Sequence, residues 1–177
     1  TITADSEWIN SQEREFPVVI DPQISTKQRR QNITSAYVTS GNPNENHGIE
    51  TRIMVGKDSA GAGKLRGLIK FDLPSIDKSD MIVDATLSLG QIGVYYYAST
   101  TPDVPINAYI VNESWAKNSV TWNNQPALSN NYALDYIIAE KSEAAKGVQK
   151  DWNITKAVKS WYEGTNANYG IMLKSAS

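Results

Sequence analysis

The side chains with chemistry to offer fall into a few groups. Arg52, Lys57, Lys64, Arg66 and Lys70 lie on or beside two successive extended segments. If those segments pair, Arg66 and Lys70 stand on one face of a sheet, with Arg52 alongside. A row of cations suits an acidic glycan, because a guanidinium grips a carboxylate bidentately. An ordinary charged sheet face is the plainer reading of the same residues. Tyr95, Tyr96 and Tyr97 are the aromatic counterpart. On a strand two of them face one way, to stack on sugar if exposed or to fill a core if buried. Trp115 and Trp122 flank a polar excursion that closes on Asn123-Asn124-Gln125-Pro126. They read first as structural aromatics pinning a loop to a sheet, and second as a sugar-stacking platform. Trp152 and Trp161 read as structural aromatics.

Catalytic readings are thin. Glycoside hydrolysis needs two carboxylates flanking the scissile bond, and nothing in the spacing of Asp72, Asp84 and Asp151 brings two together. Those three read as solvated surface groups. His47 is the single histidine and Cys is absent, so a triad would rest on one loop residue and thiolate chemistry is excluded. With no nucleophile or carboxylate dyad in sight, the expectation is a protein that is not an enzyme. No cofactor is required. A structural calcium is the one ion with a case, since Asn42 to Asn46, Asp135, Asp151 and Asn153 offer hard oxygens, though without EF-hand spacing.

The totals narrow the field. The 177 residues suit one ordinary domain with a sizeable core. Charged residues make up 20% and the net charge is −2, which does not suggest the basic stripe of a nucleic-acid binder. No apolar run approaches a membrane span. Lack of Cys is compatible with the cytosol and with secreted or surface proteins that do without disulfides. The chain opens on Thr1 with neither an initiator Met nor a targeting segment, and so reads as a piece of a longer protein.

Most positioning elements read as short strands. Phe16–Ile20 is a short apolar run closed by Asp21-Pro22, and Gln23–Ser35 reads as a linker, with the domain boundary near residues 23–33. Ala36–Thr39, Thr51–Gly56, Leu65–Leu73, Met81–Leu89, Pro105–Val111, Tyr132–Ala139 and Tyr169–Lys174 carry strand patterns, and Val120–Trp122 reads as a short extended piece. On period two Leu65, Gly67, Ile69, Phe71 and Leu73 share the core face, while Arg66, Leu68, Lys70 and Asp72 share the other. Glu140–Gly147 is open between a helical turn and a loop. Asp151–Gly164 is the one helix: Ile154, Ala157, Val158 and Trp161 form a single apolar stripe, with Asn153 or Thr155 to cap its start and Gly164 its end. Short strands at close spacing point to a β-sandwich or barrel.

Several motifs then coincide in order: Ala36-Tyr37-Val38 with Asn46-His47-Gly48, Ile53–Gly56, Leu68–Leu73, Ile82–Leu89, Trp115 with Val120–Pro126, Trp152–Thr155 with Val158 and Trp161, and Asn168–Leu173. Together they resemble the DNRLRE domain family, which is related to disaggregatase-type repeats and to a carbohydrate-binding module family. The leader, Asp5–Trp8 with Phe16–Pro22, resembles the segment that precedes such domains in Rhs-type and wall-associated bacterial surface proteins. The resemblance implies a jelly-roll β-sandwich without catalysis, set in a secreted or wall-attached multidomain protein. Some relatives of that kind bind acidic polysaccharides such as alginate. Two departures stand out: Asn153 occupies a position where the family usually has Asp, and the family's closing strands do not follow Ser177. The second implies a folded unit longer than this chain.

These readings converge on one set of expectations. The fold is all-β, a jelly-roll sandwich with one short helix in its C-terminal half. Residues 1–34 form a leader and linker with one short strand, and residues 35–177 form the domain. The chain is a monomeric, non-catalytic carbohydrate-binding module of a bacterial secreted or cell-surface protein. Its partners are a polysaccharide or cell-wall glycan and neighbouring domains, with no nucleic acid and no membrane span. Arg52, Lys64, Arg66, Lys70 and Tyr95–Tyr97 are the candidate ligand residues. The competing expectation is a purely structural spacer or interaction domain of an Rhs-like surface protein.

Overall fold

Alternation of apolar and polar residues along Leu65–Phe71 dictates a strand with two unlike faces. In the computed structural model, which describes residues 33–58, 61–77, 80–93, 103–140 and 147–176, that strand is the hub. The elements are β1 (Ile33–Thr39), β2 (Gly56–Asp58), β3 (Gly63–Phe71), β4 (Thr86–Gln91), β5 (Val104–Ile110), β6 (Asp135–Ala139), β7 (Val148–Asn153), α1 (Thr155–Tyr162) and β8 (Ile171–Ser175). The larger sheet runs β1-β3-β8-β5-β6, and β2 pairs with the start of β3. Leu65 of β3 is flanked by Thr39 of β1 on one side and Gly56 of β2 on the other. β4 and β7 make a second, two-stranded sheet, and every named pairing is antiparallel. The architecture is an all-β sandwich with a single short helix among the described residues.

One face of the larger sheet builds the main core. Ile69, Ile106, Ala108, Ile171 and Leu173 pack against Leu87 and Trp152 of the small sheet and against Ile154, Ala157, Val158 and Trp161 around the helix. Each large side chain so buried stabilises by roughly 1.5–3 kcal/mol. The indole N–H of Trp152 donates to the Ile106 carbonyl at 2.9 Å, which ties the two sheets together. Gly67 lies under the segment leading into β2: a Cβ there would sit 3.0 Å from both Ile53 and Val55. The predicted face of β3 is the observed one, with Leu65 and Ile69 buried.

The opposite face departs from expectation. Leu68, assigned by its period to the outer face, is fully buried. It belongs to a second cluster with Ala36, Val38, Val111, Val120 and Met172, covered by Trp115, Trp122, Leu128 and Tyr169. The segment between β5 and β6 folds back over this face, so both faces of the sheet are partly apolar.

Other boundaries also shift. Thr51–Val55 is not a strand, because it crosses the sheet face over Gly67 instead of joining an edge. Met81–Ala85 is not a strand either. Its end is tied to the helix start, where the Ala85 amide donates to the Thr155 hydroxyl at 2.9 Å and the Ile154 amide to the Ala85 carbonyl at 2.8 Å. Val83 is exposed, and Ile82 packs on the core. Val120–Trp122 forms no strand. Asp151–Asn153 belongs to β7, so the helix is shorter than the apolar stripe suggested, although all four stripe residues are buried. Asn153 Oδ1 accepts from the Thr155 amide at 3.0 Å, and Gly164 ends the helix at φ +72°. The Phe16–Ile20 strand and the 141–146 segment lie outside the described residues. Among the described residues no helix is long and apolar enough to cross a membrane.

Candidate functional site

The segment after β5 is held down by the loop after β1. Asn46 Nδ2 donates to the carbonyls of Lys117 at 2.9 Å and Val120 at 2.7 Å. The Asn123 amide donates to the Pro43 carbonyl at 3.1 Å, and the Asn123 side chain to Asn44 Oδ1 at 2.8 Å. Gly48 lets the two loops touch, for a Cβ there would lie 1.9 Å from the Lys117 carbonyl oxygen. Trp115 is half-buried and donates its N–H to the Tyr169 carbonyl at 2.9 Å. Trp122 is half-buried and lies beneath the Arg66 guanidinium, 4.4 Å from its ring centroid.

Arg66 is held by groups that leave its charge intact. Its Nη1 donates to Gln125 Oε1 at 2.8 Å, and Gln125 Nε2 donates in turn to the Trp122 carbonyl at 2.8 Å. The second bond orients the amide so that its oxygen meets the guanidinium. Cation–π contact adds attraction without neutralisation. Burial lowers the Arg66 pKa from the ordinary guanidinium value.

Register assembles the rest. Arg66 sits opposite Lys174 of β8, Lys174 opposite Asn107 of β5, and Asn107 opposite Tyr136 of β6. In the neighbouring row Lys64 sits opposite Lys57 of β2. Lys174 Nζ lies 4.4 Å from the Tyr109 ring centroid, and Asn107 Nδ2 donates to the Tyr109 hydroxyl at 3.0 Å. Lys64, Arg66, Asn107, Tyr109 and Lys174 line an open cleft of about 220 Å³. Two like-charged pairs thus stand directly across neighbouring strands, an arrangement that costs stability. No carboxylate partners these four cations among the described residues. The cleft thus presents cations that no carboxylate neutralises among the described residues.

Of the predicted ligand residues, Lys64 and Arg66 meet here. Lys70 shares their face but lies opposite Thr34, on the far side of buried Leu68. Arg52 lies elsewhere: it acts on the Tyr37 hydroxyl, and Tyr37 points to the other face of the sheet. Tyr95, Tyr96 and Tyr97 fall outside the described residues. Lys174, Asn107, Tyr109, Gln125 and Tyr136 escaped the sequence reading. Period two within β8 puts Met172 and Lys174 on one side, but nothing local says that β8 lies beside β3.

The remaining candidates serve local structure. His47 stacks on Tyr37 at 4.3 Å between centroids with 10° between planes, its Nε2 3.9 Å from Glu45. Burial foremost, then Glu50 and Glu45, raise the Tyr37 pKa above 10.0, with Arg52 opposing. Asp84 accepts from the hydroxyls of Thr86 and Thr155, each at 3.2 Å, and Asp151 from Gln149 at 3.0 and 3.1 Å. Asp72 is exposed just past β3. Asp135 Oδ2 accepts from the Asn153 amide at 2.8 Å. The oxygens considered for calcium are therefore engaged in hydrogen bonds at Asp135, Asp151, Asn153 and Asn44. Among the described residues no group of three or more His, Asp or Glu is arranged to hold a metal ion.

The model of carbohydrate-binding module family 96 matches residues 26–177. The chain is 28% identical over 182 residues to the tRNA3(Ser)-specific nuclease WapA of Bacillus spizizenii. It is 27% identical over 182 residues to the tRNA nuclease WapA of Bacillus subtilis strain 168 and to the tRNA(Glu)-specific nuclease WapA of Bacillus subtilis subsp. natto. Each alignment takes in 97% of this chain and 7% of the relative, so the chain spans a small part of each relative's length.

Proposed function

The chain belongs to carbohydrate-binding module family 96, and from that premise we propose that it holds an acidic polysaccharide in the cleft around Arg66. One observation carries this reading. Lys57 faces Lys64 and Arg66 faces Lys174, and among the described residues no carboxylate pairs with any of the four. A carboxylate-bearing sugar would relieve both repulsions at once, and the Arg66 fork is already oriented by Gln125 and Trp122 to accept it. Preorganisation lowers the ordering cost of binding.

The role is attachment without bond cleavage, on a secreted or cell-surface multidomain protein. The nuclease in the relatives' names belongs to proteins of which this chain matches 7%, and the residues lining the cleft offer cations, an amide and one phenol, with no carboxylate pair to cleave a glycosidic bond. Native affinity electrophoresis against alginate, polygalacturonate and a neutral glucan tests the proposal, run with calcium and with chelator. Retardation by the polyuronates alone, weakening as salt rises, is the expected result. Loss of retardation in chelator would add calcium to the bound state. Retardation by none of the three would leave the spacer reading in its place.

A further inference from the structure

We propose that Tyr136 and Asn107 form a second, uncharged sugar subsite, so that the ligand lies across the strands of the larger sheet and not along them. The inference rests on the acidic-glycan reading and specifies how the ligand is threaded. Direction follows from what bounds the cleft. Along β3 the next residue on the Arg66 face is Leu68, buried beneath the segment that carries Trp115 and Trp122. A chain following the strand past Arg66 would meet that cover. Across the strands the row keeps some exposure throughout: Arg66, Lys174 and Asn107 are half-buried and Tyr136 is exposed, and they are successive register partners on β3, β8, β5 and β6. At about 4.8 Å between strands, the row is about 14 Å long. That is the reach of a short oligosaccharide.

The two ends of the row differ in chemistry. Arg66 and Lys174 take the carboxylate. Tyr136 is 61% exposed, with Ile138, 38% exposed, beside it on the same face of β6. Exposed large apolar groups scattered singly need no explanation, but these two adjoin a polar cleft. Asn107 spends one amide hydrogen on Tyr109, and its carbonyl oxygen has no partner among the described residues. An aromatic face beside a free amide suits a sugar ring, whose C–H face stacks while a hydroxyl donates to the amide oxygen.

Calorimetric titration with galacturonate and alginate oligosaccharides separates the two ideas. Tyr136→Ala should weaken binding roughly fivefold to thirtyfold, the usual loss when an aromatic anchor is truncated. Tyr136→Phe should retain wild-type affinity, since only stacking is required. The salt dependence should be unchanged in Tyr136→Ala and reduced in Arg66→Ala. Wild-type affinity in Tyr136→Ala, alongside weakened binding in Arg66→Ala, would overturn the subsite and spare the anionic site. Wild-type affinity in both variants, or no binding by the unaltered chain, would overturn both.

Discussion

Arg66 is most informative for what does not touch it. Its hydrogen-bond acceptor is an amide and its stacking partner a ring, so position is fixed while charge is kept. Gln125→Glu tests that division. A carboxylate at the same place would pair with the guanidinium, adding at most about 0–1 kcal/mol of stability at this partly exposed site. It should also cut affinity for polyuronates about tenfold or more by competing with the ligand. Titration and a denaturant melt read the two effects separately; unchanged affinity would mean that Arg66 is not the anchor. Tyr37 gives a test unrelated to binding. Burial raises its folded pKa above the ordinary 10.0, so the neutral phenol's contribution is complete below that value. It is lost as pH rises from there through the folded pKa. Tyr37→Phe keeps the ring stacked on His47 and should show a shallower loss of stability above pH ~10 in alkaline unfolding curves. That Arg66 and Lys64 share a face was legible because strand alternation is local. The place of Lys174 beside them was not, because β8 comes from the other end of the chain.

The decisive element is the segment of residues 112–128, an irregular cover held by backbone and side-chain hydrogen bonds. Asn46→Ala removes donors to two carbonyls and should cost about 1–3 kcal/mol. Gly48→Ala drives a Cβ into the Lys117 carbonyl and should cost a similar ~1–3 kcal/mol. Both should also weaken glycan binding, because Trp122 and Gln125 ride on this segment. Urea melts read the first effect and titration the second; normal affinity in a destabilised Asn46→Ala would show that the cover does not position Arg66. The Asn-His-Gly motif was legible as part of a family pattern, while its use as a clasp needed the contact across the fold. Helix α1 was legible because its apolar stripe is local. β7 was hidden because Trp152 was read into the helix, when it is the last inward residue of a strand alternating Val148, Lys150 and Trp152. Asn153, where the resemblance implies Asp, still supplies an oxygen that accepts from the Thr155 amide, although the N-cap position itself is Ile154.

For the molecule as a whole, net charge says little. The chain carries −2 overall, yet register gathers Lys57, Lys64, Arg66 and Lys174 onto one face with no acidic partner among the described residues. The close spacing of short strand patterns correctly suggested β layers, and the ordered motifs pointed toward a carbohydrate-binding relation, now matched over residues 26–177. Strand order could not be read, since β1-β3-β8-β5-β6 joins segments distant in sequence. That this assembled cation cluster holds an acidic glycan is the proposal on which the rest depends. Its most direct test is calorimetric affinity for alginate and polygalacturonate as a function of salt, in the unaltered chain and in a Lys64→Ala, Arg66→Ala, Lys174→Ala variant confirmed to be folded. Affinity should fall steeply with salt in the unaltered chain, and the variant should bind weakly with little salt dependence. Equal affinity and equal salt dependence in both would contradict it.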